Sequence, residues 1–187
     1  MPSADLSLPS AALSRLARLS QIMGIVTSIG IALVAILTVA AVLIQDWTRN
    51  IALAKLGQVG AALPITPLSQ AVAGIVLAIP VGVMIYGLLA ARRMFGEFAR
   101  GEIFTERAAR CLQTFAATVL AQAPLGPLTA AGFSAALSLG NPPGQRAITI
   151  AFSINDYFAL IVGGVLFAAA TVMREAAHLA EENKGFV

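Results

Sequence analysis

Charge is what this chain has least of. Only 11% of its 187 residues are Asp, Glu, Lys or Arg, against about 25% in an ordinary soluble domain. Meanwhile 58% are hydrophobic and the mean hydropathy is +0.86. So few charges cannot cover a water-facing surface, which excludes a soluble globular domain and leaves a membrane protein. The net charge of +3 is small and scattered, which excludes a nucleic-acid reader with a basic face. Histidine and cysteine occur once each. The lone Cys111 excludes an internal disulfide and reads as a small apolar residue near a helix start. An intramembrane serine protease needs a serine facing a histidine within the bilayer, and His178 lies beyond the last apolar stretch.

What charge there is punctuates the chain. None falls between Arg18 and Asp46, between Lys55 and Arg92, or between Arg110 and Arg146, and Asp156 stands alone between Arg146 and Arg174. A span needs about 20 apolar residues, so each gap holds one transmembrane helix, near 21–44, 69–91, 112–138 and 151–173. Pro64-Ile-Thr-Pro67 suits a helix entry, and Gly140-Asn-Pro-Pro-Gly144 is a turn outside the hydrocarbon. The first span is too long for the core of a cleaved signal peptide, about 7–15 residues, and reads as a retained anchor. The expected fold is therefore all-α: a single membrane domain over 1–187, built as a four-transmembrane-helix bundle.

Basic residues set the orientation. With the N-terminus inside, nine of the twelve Lys and Arg face the cytoplasm: Arg15, Arg18, Arg92, Arg93, Arg100, Arg107, Arg110, Arg174 and Lys184. Only Arg49, Lys55 and Arg146 lie outside. Both termini are then cytoplasmic, with an elbow over 92–111 and a tail over 174–187. Trp47 fits an aromatic anchor at the outer interface.

The elbow concentrates charge: Arg100, Glu102, Glu106, Arg107 and Arg110 fall within 98–111. Gly101 suits a left-handed cap that stops the second helix. Thr105 is a good N-cap for the third, and Glu106 complements its positive end. Glu97 reads as an exposed neighbour.

This passage resembles the cytoplasmic signature of a bacterial four-span family catalogued as a domain of unknown function (YoaS-like). The matching residues are Phe98, Gly101, Glu102, Ile103, Phe104, Thr105 and Arg110. Leu179, Glu181, Glu182 and Asn183 are similar to the family's Leu-x-x-Glu-Asn tail. The resemblance implies no enzymatic activity, no cofactor and no catalytic residues. It also implies a partner, since some members are encoded beside a small cytoplasmic helix-turn-helix regulator.

Chemistry is otherwise sparse. His178, with Glu175 and Glu182 on the same helix face, reads as a solvated surface rather than a metal site. An intramembrane aspartyl protease needs two carboxylates, and the spans hold only Asp156. An ionisable residue within the membrane marks function by default. Yet Asp156 precedes Arg174 by 18 residues, or roughly 27 Å of helix, which places it near the outer interface of a core about 30 Å thick. An interfacial or capping role thus competes with a buried ion site. Pro80 frees the carbonyl of Val76, and Pro124 and Pro127 free those of Leu120 and Ala123 beside Gln122. Such breaks build transporter sites in some proteins and kinks in most. Gly74, Ala78 and Gly82, and again Gly164 and Ala168, recur at four-residue intervals and read as packing seams.

The expected function follows: a non-enzymatic, multi-pass protein of the bacterial inner membrane, acting through its elbow and tail on another membrane protein or a helix-turn-helix regulator, without direct nucleic-acid contact. A homo-oligomer stays open. The alternative is a small transporter or channel subunit using Asp156 and the proline-broken second and third spans.

Overall fold

The computed structural model describes residues 10–57, 65–142, 146 and 148–184, the side chains of 10–13 and 180–184 excepted. Pro64, Pro143, Gly144 and the side chains of Glu181, Glu182 and Asn183 thus lie outside the described residues. The fold is all-helical, with no strand among the described residues.

Helix α1 (Ser10–Leu43) carries no charge after Arg18. Its polar residues turn inward on the backbone: Thr27, Ser28 and Thr38 donate to carbonyls one turn back at 2.7–2.8 Å. Extended backbone at Ile44 then breaks the helix, and α2 (Gln45–Leu56) follows. Sequence reasoning passed over α2 because it is too short and too polar to be a span. Its periodicity shows in the burial of Thr48, Ala52 and Leu56, which line one face, while Arg49 and Lys55 face outward. Thr48 Oγ1 donates to Ala41 O at 2.8 Å, tying α2 to the end of α1.

Helix α3 (Pro67–Ala99) begins with a capping box: Thr66 Oγ1 accepts from the Ser69 amide, Ser69 Oγ accepts from the Thr66 amide, and Pro67 occupies the first turn. Helix α4 (Glu106–Leu137) closes in a 3-10 turn at Ser138–Gly140. The chain then runs back along α4, where the Thr149 amide donates to Ser134 Oγ at 2.8 Å. Helix α5 (Ile154–Lys184) completes the fold.

The four long helices form a row rather than a closed bundle. α1 packs on α3, α3 on α4 and α4 on α5, while α1 and α5 share no seam. The expected bundle is corrected here. Closing it would need α1 to meet α5, and both instead present large apolar side chains outward, such as Ile29 at 62% and Val165 at 64% exposed. Aqueous solvent would penalise such faces, and lipid would not. The core cluster gathers where α2 covers the ends of α3 and α4, around Ala52, Ala73, Ala130, Phe133 and Leu137.

Three helical stretches, Ser14–Leu43, Pro67–Ala99 and Ile154–Leu179, are long and apolar enough to cross a membrane. α4 is not among them. It lies between α3 and α5 and carries Thr114, Thr118, Gln122, Thr129 and Ser134 along its length. Its polar groups are matched within the protein: Gln122 Nε2 donates to Pro80 O at 2.9 Å, and Thr118 and Thr129 donate to their own helix.

The small-residue stripe of α5 runs in a different phase from the one that four-residue spacing indicated, and on α3 that spacing holds at Gly74 alone. On α5 the buried positions are Gly163, Ala170 and Ala177, seven residues apart, whereas Gly164 and Ala168 face outward. On α3, Gly74 packs on Val42 and Gly87 on Thr118, while Ala78 is exposed and Gly82 has open space. Spacing within one helix cannot say where the neighbouring backbone comes closest. A Cβ added at Gly163 would lie 2.6 Å from the Leu120 amide nitrogen, whereas one at Gly164 meets nothing within 4 Å. Gly163→Val should therefore destabilise the detergent-solubilised protein by about 1–3 kcal/mol, as overpacking does, and Gly164→Val should leave its thermal midpoint nearly unchanged. Equal effects would contradict this α4–α5 seam.

Candidate functional site at the elbow

The turn between α3 and α4 is closed at both ends by backbone geometry. Gly101 has φ +83°, the left-handed conformation that glycine adopts without strain. Its amide donates to Phe98 O at 3.0 Å, and the Glu102 amide donates to Glu97 O at 3.1 Å. This pair is a Schellman motif, which satisfies the last carbonyls of α3. Three residues on, extended Thr105 accepts the Ala108 amide at 3.2 Å and starts α4. The elbow is thus an ordered connection with few free backbone groups.

Its side chains divide into two sets. Glu106 and Arg110 form an ion pair at 2.7 Å, one helical turn apart. The Arg110 guanidinium, by hydrogen bonding and then by charge, holds the Glu106 carboxyl below its ordinary range, and Glu106 raises Arg110 in return. A lowered carboxyl pKa contributes stability above the unfolded value of about 4.3, and that contribution fades as pH falls through the folded value. Phe104 belongs to the other set: its ring is 66% exposed at the tip of the turn.

A cleft of about 640 Å³ opens beside the elbow, between the end of α3 and the start of α4. Glu102, Thr105 and Arg110, all singled out from the sequence as candidate site residues, line it; Arg93 and Arg107, read from the sequence as orienting charges, line it too, and so does Tyr86, which was not named. Cys111 faces the same cleft, and burial raises its thiol pKa, which disfavours the nucleophilic thiolate. Gly101 shapes the turn by its backbone alone.

Glu97 corrects an expectation. It is 5% exposed rather than a surface neighbour. Oε1 accepts from Arg100 at 3.2 Å, and Oε2 is buried with no hydrogen-bond partner among the described residues. No pattern in the sequence distinguishes it from the exposed charges around it. His178 lies with Glu106, Arg174 and Glu175 around a second hollow, of about 430 Å³.

Asp156 sits far from the elbow, in the first turn of α5. The Ser153 amide donates to Oδ2 at 2.7 Å and the Asp156 amide donates to Ser153 Oγ at 3.3 Å, a reciprocal cap. The same carboxylate lies against Gly126, inside the Pro124–Pro127 segment, where an added Cβ would collide with it. Asp156 is thus at once a helix cap and a neighbour of the second proline break. Gln122, four residues before Gly126, bridges to the first break at Pro80.

These features define a class: an all-helical chain with three helices apolar enough to cross a membrane and a capped, charged turn between its two inner helices. The chain belongs to the family described as protein of unknown function DUF2975, whose model matches residues 53–185. The match takes in the elbow and the tail, the two segments that carry the sequence resemblance, and starts within α2. No curated protein and no solved structure matches the chain.

The Gly101 conformation gives a direct test. Open space surrounds its Cα, so a side chain there meets only backbone strain. Gly101→Val should destabilise by about 1–2 kcal/mol, while Gly101→Asn, whose side chain tolerates left-handed backbone, should lose much less. Chemical denaturation in detergent reads both, and an equal loss would place the cost elsewhere than φ.

Proposed function

We propose that this chain is a multi-pass protein of the bacterial inner membrane, that all four long helices cross the bilayer with both termini in the cytoplasm, and that it works without catalysis. In this reading the elbow and tail recruit or regulate a second protein, either a small helix-turn-helix regulator or another membrane protein. Nine of twelve basic residues on the elbow side support the orientation. α4 crosses despite its polarity because neighbours on both flanks shield it, as polar side chains in membrane helices require.

Phe104 is the observation that carries the proposal. A large aromatic side chain, 66% exposed, stands on a turn whose two ends are fixed by hydrogen bonds. A rigid turn with an exposed aromatic loses little entropy on docking, which is the property of a binding anchor.

A second reading, a small transporter or channel subunit, draws on Asp156 lying against Gly126 and on Gln122 reaching Pro80. It is the weaker reading because Asp156 is already committed to Ser153.

Two experiments separate them. In a Cys111→Ala background, Ala54→Cys and Ser153→Cys should react with impermeant maleimide in intact cells, and Gly96→Cys only after permeabilisation. Reaction of Gly96→Cys in intact cells overturns the orientation. A photo-crosslinking residue at Phe104 should then capture a discrete protein, and one at lipid-facing Ile29 should not. If Phe104 captures nothing, and proteoliposomes show an ion flux that Asp156→Asn abolishes, the transporter reading replaces the first.

A further inference from the structure

The cleft at the elbow does not end at the elbow. A shallower groove of about 520 Å³ continues from it along α3 and α4 to Phe167 of α5, and the two share Tyr86, Arg110 and Thr114. Their linings differ in kind. The elbow end holds Arg93, Arg107, Arg110, Glu102 and Glu106, whereas the far end is lined mainly by Val83, Ala117, Ala121 and Phe167, with Gln113 and Thr118 as its polar groups. One continuous surface therefore passes from charged to apolar along the helix axes.

Its length is informative. From Arg93 to Val83 is 10 residues of α3, and from Arg110 to Ala121 is 11 residues of α4. At 1.5 Å per residue these are roughly 15 and 16 Å. Half of a hydrocarbon core about 30 Å thick is the same distance. The groove thus spans one leaflet, with its charged end at headgroup level.

The charges at that end select a sign. Glu106 is bound to Arg110 at 2.7 Å. Arg93 and Arg107 are exposed and form no ion pair with the described residues, although both lie close enough to Cys111 for their charge to lower its pKa. Two uncommitted guanidiniums, one from α3 and one from α4, thus line the cleft, against one uncommitted carboxylate, Glu102. Guanidinium groups bind phosphate by paired hydrogen bonds, and basic pockets between membrane helices on the cytoplasmic side hold anionic headgroups.

We propose that this groove is a binding site for one anionic phospholipid, its phosphate held by Arg93 and Arg107 and an acyl chain lying along Val83, Ala117 and Phe167. A free phosphate or soluble anion would use the arginines and leave the apolar half empty; the leaflet-matched length of the whole groove favours the lipid. The inference rests on the membrane-embedded reading of the chain and not on Phe104 or any protein partner, so failure of the crosslinking experiment leaves it standing.

The test is direct. Delipidated full-length protein in neutral detergent is titrated with dioleoyl phosphatidylglycerol, dioleoyl phosphatidylcholine or glycerol phosphate, and bound lipid is counted by native mass spectrometry. Phosphatidylglycerol should bind at 1:1 and about thirtyfold more tightly than phosphatidylcholine, the share expected of two arginines near a charged headgroup. Arg93→Gln/Arg107→Gln should erase that preference, while Arg49→Gln/Lys55→Gln, of the same charge change on α2, should keep it. Ala117→Trp, which fills the apolar half, should weaken phosphatidylglycerol and phosphatidylcholine alike. Thermal midpoints without added lipid confirm that each variant is folded. Equal binding of the two phospholipids, an unchanged preference in the Arg93/Arg107 variant, or glycerol phosphate binding as tightly as phosphatidylglycerol would each overturn the proposal.

Discussion

The hydrogen bond from the Glu102 amide to Glu97 O, with its companion from Gly101 to Phe98 O, closes the C-terminal end of α3. Everything nearby depends on that closure. A helix end leaves carbonyls without partners, and apolar surroundings penalise each one by several kcal/mol. The chain answers at several helix ends with a local device. Gly101 ends α3, Thr105 starts α4, Thr66 and Ser69 start α3, and Ser153 and Asp156 start α5. α1 lacks a glycine cap, and Gln70 of the neighbouring helix reaches across to its Val42 carbonyl at 2.7 Å instead.

Between these closed ends the helices approach closely at small residues, and polar contacts between helices are few, Gln122 to Pro80 O and Gln70 to Val42 O among them. Gly74 meets Val42, Gly87 meets Thr118, Gly132 meets Val76 and Gly163 meets the backbone of Leu120. Where the lipid is as apolar as the side chains, burial of apolar area does not drive association, and packing at small residues does. A row of helices joined this way exposes both faces of its inner pair. The long groove above Tyr86 follows from the row, since a closed bundle would fill it.

Much of this was legible in the sequence where chemistry is local. Gly101 needed only the knowledge that a helix must stop between Arg93 and Thr105, and Thr105 needed only the helix that follows. The long helices follow from gaps between charges. Properties that depend on a neighbour were not legible. Glu97 looks like Glu102 in the sequence, and one is buried while the other lines the cleft. Gly164 looks like a better seam residue than Gly163, because the four-residue rule ignores where Leu120 lies. α2 escaped because its pattern is that of a surface helix, and it is α2 that covers Phe133 and Leu137. For Asp156 the sequence sets an interfacial or capping role against a buried ion site; the carboxylate caps α5 with Ser153 and lies against Gly126, a neighbour that no sequence spacing indicates.

The arrangement of helices in a row underlies the open groove, the exposed apolar edges and the exposed elbow. Pulsed electron–electron resonance between spin labels at Ile29 on α1 and Val165 on α5 tests it most directly. Both residues face outward, and they lie at one depth, since Gly87 touches Thr118 and Gly163 touches Leu120 between them. Three helix-to-helix steps of about 8–10 Å predict a separation of about 20 Å or more. A distribution centred near 10 Å would mean that α1 packs on α5, and the row would be wrong.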